Sequence, residues 1–148
     1  MKIQFSAGGV VFRKTDDKTE ILVAQHSQHH GWVFPKGLIG DHIERENKEE
    51  TAIREVKEET GVDGKIIRGL NPVTYWFMVP SQGGSASGGD GEKIRKTVYY
   101  YLMEFTGGDI AKHDHEMEAV VWLPIDKVEE KLTYKSDKIV WREAKNLI

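Results

Sequence analysis

Cysteine is absent from the 148 residues of this chain, which excludes disulfides, thiolate metal sites and cysteine nucleophiles. That absence fits a reducing compartment, and a cytoplasmic location is the expectation. Prolines number only four, and no long apolar run occurs. The amino-terminal stretch IQFSAGGVVF alternates and meets charge at Arg13, whereas a signal peptide needs a longer apolar segment and a cleavage site. The longest uncharged run, Gly69 to Gly89, holds Pro72 and Pro80 and dissolves into Gly and Ser, so it is not a membrane span. Neither charge sign dominates, since 21 basic and 24 acidic residues leave a net charge of −3. This balance carries no strong nucleic-acid signal and no attraction to anionic membrane.

What is present describes an ordinary globular chain, 39% hydrophobic and 30% charged. The length fits one compact domain over residues 1–148. Strands are expected at Phe5–Phe12, Glu20–Gln25, Lys65–Leu70, Val73–Val79, Thr97–Phe105 and Ala119–Trp122, where β-branched and aromatic residues gather. A histidine-rich loop, Ser27 to Gly31, precedes a short apolar Trp32-Val33-Phe34 and then Pro35-Lys36-Gly37. Ser81 to Gly91 reads as a mobile hairpin loop, because a phosphate-binding glycine loop would open a helix rather than join two strands. A short helix is expected over Ile125–Leu132, and a capped terminal helix over Ser136–Leu147 with Val140, Ala144 and Leu147 inward. The mixture of strands and helices places the chain in the α/β or α+β class.

The most secure helix runs from Asn47 to Thr60. Asn47 can cap it, Glu50 stands at the capping-box position, and Gly61 supplies the left-handed stop. Its expected apolar stripe is Ala52, Ile53 and Val56. On this helix Glu55 faces both Glu58 and Glu59, three and four residues on. Like charges at that spacing repel by a few tenths of a kcal/mol per pair, so something positive belongs among them. A hard divalent cation that prefers oxygen ligands fits. Calcium in a 12-residue loop of alternating acids does not, because that pattern is missing.

Gly40, Glu46, Arg54-Glu55-Val56, Glu58-Glu59 and Gly61-Val62 fill every fixed position of G-x5-E-x7-R-E-U-x-E-E-x-G-U, with U a bulky apolar residue. In this the chain resembles the Nudix hydrolases, and the strand order around the box follows that family over most of its length. The resemblance implies an α/β/α sandwich around a mixed sheet, and cleavage of a diphosphate linkage in a nucleoside diphosphate joined to a group X. It also implies Mg²⁺, with Mn²⁺ as the alternative, held by Glu55, Glu58 and Glu59, one of which serves as general base. Arg54 would orient the carboxylates by pairing with Glu50 and Glu58, and Glu46 would tether the loop. A further metal-binding glutamate is expected at Glu116, with Glu118 in reserve. Gly37 precedes Gly40, so the lead-in carries about three extra residues and leaves open which carbonyl near Lys36, Gly37 or Gly40 completes the metal shell.

Within the family, FSAGGVVF, WVFPKG, KTVYYYLMEF and LTYKSDK look most like the bis(5′-nucleosyl)-tetraphosphate hydrolases, which split diadenosine tetraphosphate into ATP and AMP. Lys36 and Lys96 are then candidates for polyphosphate, and Tyr75, Trp76 or Tyr100 for stacking on adenine. Aromatic residues in strands serve more often as core, so these are weighed against that simpler role. His29 and His30 are candidates for phosphate contact or for the leaving-group acid, against a merely solvated loop. The partner is a small-molecule nucleotide. Other substrates remain open: an oxidised nucleoside triphosphate, ADP-ribose or capped RNA. A non-catalytic nucleotide- or RNA-binding module is the rival outside enzymes.

Overall fold

The computed structural model describes residues 1–40, 43–80 and 91–148. The expected hairpin loop of Ser81 to Gly91 therefore lies outside the described residues except for Gly91.

One mixed sheet organises the chain. Its strands are β1 (Lys2–Thr15), β2 (Lys18–His26), β3 (Trp32–Val33), β4 (Lys36–Leu38), β5 (Val62–Gly69), β6 (Val73–Val79), β7 (Glu92–Gly108) and β8 (Met117–Pro124). The central path is β3-β2-β1-β7-β5, with β4 on β1, β6 on β7 and β8 on β2. Among the described residues only β1 and β7 pair in parallel, which makes the sheet mixed. Several strands outrun their expected limits because charged ends such as Glu92-Lys93 still pair in the ladder.

Each face of the sheet carries a core. On one, α1 (Lys48–Thr60) lays Ala52 and Val56 on Ala7, Val11, Tyr101 and Met103. On the other, α2 (Val128–Lys131) and α3 (Lys135–Lys145) cover Val10, Ile21, Tyr100 and Leu102 with Val128, Leu132, Val140 and Trp141. The order helix, sheet, helix is the expected sandwich.

Helix α1 starts and stops as its residues dictate. Asn47 Oδ1 accepts the Glu50 N–H at 2.8 Å, and the Glu50 carboxylate reaches back to the Asn47 N–H. Gly61 follows at φ +80°, where its N–H caps Lys57 O. A Cβ there would lie 2.1 Å from Asp109 O, so glycine is required twice over. The stripe differs from expectation at Ile53, which is 40% exposed. Thr51, Glu55, Glu59 and Thr60 are buried alongside Ala52 and Val56 instead.

The terminal segments differ as well. Ile125–Lys127 is a 3-10 turn ahead of the four-residue α2. Helix α3 begins after Tyr134 without a side-chain cap, and Leu147 is beyond it and exposed. Asp137 and Trp141 take the inward places next to Val140 and Ala144. No helix among the described residues is long and apolar enough to cross a membrane.

Candidate active site

Arg54 gathers three carboxylates at α1, those of Glu46, Glu55 and Glu58. Its Nε and Nη2 donate to Glu46 Oε2 and Oε1, both at 2.8 Å, while Nη1 donates to Glu55 Oε1 at 2.9 Å and to Glu58 at 3.1 Å. Glu46 Oε1 also accepts the Thr51 hydroxyl at 2.7 Å. Hydrogen bonding to Glu46 is the main force holding the guanidinium far above its ordinary pKa, against the opposing effect of burial. Arg54 does not take Glu50, which is spent on the helix cap. One cation thus offsets the repulsion among the helix carboxylates and pins Glu55 and Glu58.

Glu59 points off the same helix into a different setting. It is 4% exposed and accepts the backbone N–H of Lys36 at 3.2 Å. Burial pushes its pKa well above the carboxylate range; nearby Glu116 and Glu55 push the same way, while Lys36 opposes. Gly37, next in β4, lies so close that a Cβ would fall 2.0 Å from Glu55 Cδ. The lead-in strand is therefore pressed onto the carboxylate pair.

Glu116 arrives from the loop before β8, and that loop is clamped. Glu116 O accepts both the N–H and the hydroxyl of Ser27, at 3.0 and 2.9 Å. Asp114 Oδ1 accepts the Glu116 N–H, and Asp114 N–H donates to Glu58 O. His26 Nε2 stands 3.7 Å from Glu116 Oε1. Glu118, one strand position away from the cleft, pairs instead with His30 Nδ1 at 2.6 Å.

These groups border a cleft of about 770 Å³ that Glu55, Glu59, Glu116, Lys36, Lys96 and Tyr75 all line. Burial alone would lower the Lys36 pKa, but Tyr75, Asp137, Glu59 and Tyr134 outweigh it and raise it. Lys96 is lowered, by burial first and Lys36 second, with Glu59 and Glu116 opposing. The cleft thus holds carboxylates and two lysines together, a mixture that suits a metal-bound polyanion. Among the described residues no three His, Asp or Glu side chains converge closely enough to hold a metal ion as they stand. Carboxylate oxygens such as those of Glu55, Glu59 and Glu116 are the donor type that hard divalent cations take.

A model of the NUDIX domain matches residues 4–143. The chain belongs to the NUDIX domain family. Among relatives, a Mycobacterium tuberculosis protein bearing the mutator name MutT4 is 37% identical over 150 residues, covering 97% of this chain and 55% of that protein. The 8-oxo-(d)GTP phosphatase of Mycolicibacterium smegmatis is 30% identical over 146 residues, covering 93% and 40%. The asymmetrical bis(5′-nucleosyl)-tetraphosphatase of Rattus norvegicus is 29% identical over 150 residues, covering 94% and 91%. This chain thus spans about half the length of its mycobacterial relatives.

The Nudix residues expected from sequence fall in several places. Glu55 and Glu59 line the cleft, whereas Glu58 does not and has 42% of its side chain exposed. Lys36, Tyr75, Lys96 and Glu116 also line it. Tyr100 does not: it is 3% exposed in the core below, its hydroxyl 3.4 Å from Asp137 Oδ1. Trp76 projects from β6 on the face opposite Tyr75 and is 50% exposed. Gly40 marks the turn after β4, and His30 stays at the surface.

Three cleft residues escaped the sequence reading or were discounted by it. Tyr134 and Asp137 reach the cleft from the start of α3. His29 lines it too, and its Nδ1 accepts the Gly31 N–H at 3.0 Å and the Tyr134 hydroxyl at 2.8 Å. That leaves the Nε2–H tautomer, and burial, followed by His26, Lys36 and His30, lowers its pKa. Proximity of LTYKSDK to the box is a long-range fact that no local pattern signals.

Proposed function

We propose that this chain is a metal-dependent diphosphohydrolase that attacks a nucleoside polyphosphate with water. The observation that carries this reading is one cleft lined by three carboxylates, Glu55, Glu59 and Glu116, together with two lysines, Lys36 and Lys96. Glu55, Glu58, Glu59 and Glu116 would hold Mg²⁺ or Mn²⁺, with a carbonyl of the Lys36–Gly37 segment pressed against Glu55 and Glu59. Such an ion supplies charge neutralisation at phosphate and a lowered pKa for bound water.

The chain's own groups do the rest. Lys36 and Lys96 bind and align the phosphate chain. One of Glu55, Glu58 and Glu59 takes the proton of the attacking water. Tyr75 and Tyr134 offer ring faces for a base. Arg54 and Glu46 hold the carboxylates in register without touching substrate.

The favoured substrate is diadenosine tetraphosphate, cleaved to ATP and AMP. The likeness to the rat tetraphosphatase over nearly the whole of both chains supports it, as do the paired lysines beside two tyrosines. Hydrolysis of an oxidised nucleoside triphosphate is a second reading, supported by the likeness to the mycobacterial 8-oxo-(d)GTP phosphatase. A substrate panel run with Mg²⁺ in heavy-oxygen water, read by product masses, separates them and identifies the phosphorus attacked. Release of AMP from the dinucleotide at rates far above those for 8-oxo-dGTP is the expected result. Tight nucleotide binding with every diphosphate left intact would overturn the enzyme reading.

A further inference from the structure

Two residues at the end of β2 hold Glu116 at both of its ends, and the catalytic reading gives neither a task. Ser27 takes the backbone, donating its N–H and its hydroxyl to Glu116 O at 3.0 and 2.9 Å. His26 takes the carboxylate: it lines the cleft, and its Nε2 stands 3.7 Å from Glu116 Oε1. The Glu116 side chain is 55% exposed and that of His26 only 17%. Glu116 therefore keeps rotamer freedom that a cation ligand has to give up, and the Ser27 clamp on its carbonyl leaves its side-chain torsions free.

The His26 ring is fixed from two directions. Gln28 N–H donates to its Nδ1 at 3.1 Å, so the neutral imidazole carries its proton on Nε2, the nitrogen that faces Glu116. The His29 ring lies flat against it, with centroids 4.2 Å apart and planes 9° from parallel. His29 is held in turn by the Gly31 N–H and the Tyr134 hydroxyl on its own Nδ1. At 3.7 Å the approach is longer than a hydrogen bond, and its pull on the carboxylate is electrostatic.

We infer that His26 is a positioning residue for Glu116: its Nε2–H, aimed by the Gln28 N–H and the His29 stack, orients the Glu116 carboxylate for a divalent cation. This role rests on the reading of Glu116 as a cation ligand. A partner behind a ligating group limits its orientations before the ion arrives, and removing such partners typically weakens metal binding by ~10–100-fold.

Two measurements without nucleotide test it. Long-range proton–nitrogen NMR spectra of the metal-free protein at about pH 8 should show His26 as the Nε2–H tautomer. The Nδ1–H form would overturn the proposal. Titration with Mn²⁺ alone, followed by electron paramagnetic resonance, gives the cation affinity of each variant. His26→Leu should weaken Mn²⁺ binding by ~10–100-fold with an unchanged circular dichroism spectrum. His26→Gln, whose amide nitrogen falls close to the place of Nε2, should recover most of that loss. His26→Asn, whose amide is one carbon short, should not, and it replaces His26→Leu in the comparison if leucine disturbs the fold. Glu116→Gln should also weaken Mn²⁺ binding, and adding His26→Leu to it should cost nothing more. Such non-additivity marks two residues acting as a unit, whereas a general loosening of the loop would add its own loss. Wild-type affinity in His26→Leu beside a weakened Glu116→Gln would overturn the role of His26 alone. Wild-type affinity in Glu116→Gln would remove the ligand reading, and the role of His26 with it.

Discussion

Arg54 holds Glu46 through two parallel hydrogen bonds of 2.8 Å, and the same guanidinium reaches Glu55 and Glu58 with its third nitrogen. Lysine cannot reproduce that fork. Arg54→Lys should therefore lower turnover by ~10–100-fold, the range seen when the partners of metal ligands are removed. Arg54→Met removes both guanidinium hydrogen bonds from the buried Glu46 carboxylate, and should cost ~3 kcal/mol of stability. Denaturant midpoints and steady-state rates of both variants check this. Wild-type stability in Arg54→Met would remove the anchoring role.

Glu55 and Glu59 each keep shape but lose charge on conversion to glutamine. Glu55→Gln and Glu59→Gln should cut turnover by about 10²–10⁴-fold, as loss of a base or metal ligand does, with circular dichroism unchanged. Chelation of the wild type should bring it to a comparable floor, and added Mg²⁺ or Mn²⁺ should restore it. Near-normal rates in both variants would sink the assignment.

Legibility from sequence followed the range of the interactions. The helix Asn47–Thr60, its caps and its carboxylates are set by neighbours within a turn or two, and all stood in the sequence pattern. Ile53 did not, because the width of the buried stripe depends on how the sheet meets the helix. Tyr75 and Tyr100 show the same limit on strands. Both point to the α3 side of the sheet, since Tyr75 pairs with Lys96 and Lys96 shares its face with Tyr100. Alternation gives the face but not the position along it, and α3 covers Tyr100 while leaving Lys96 at the cleft. Tyr134 meets His29, and Asp137 meets the Phe34 N–H, across more than a hundred residues of chain, which no local spacing encodes.

Gly37 tests the lead-in strand. An alanine there would put Cβ 2.0 Å from Glu55 Cδ, so the carboxylate must swing away while the backbone pairing with Ala7 persists. A shift of about 1 Å in a reacting group is worth ~10²-fold in rate. Gly37→Ala should thus lose about that much turnover with a melting temperature close to wild type. Unfolding would instead assign Gly37 to stability alone.

Asp137 carries a pH signature that can be read without substrate. Burial raises its pKa, opposed by Lys36, the Phe34 N–H and the Tyr100 hydroxyl. The folded state therefore holds its proton more tightly than the unfolded chain does. Stability from this site is full below the ordinary aspartate value and is lost as pH rises through the raised folded value. Asparagine retains an acceptor for the Phe34 N–H at 3.2 Å and never ionises. Relative to wild type, Asp137→Asn should gain melting temperature as pH rises above about 4, then level off once the pH passes the raised folded value of the aspartate. A constant difference across that range would mean that Asp137 ionises as an ordinary aspartate, and that its neutral and charged forms are equally well held beneath the cleft.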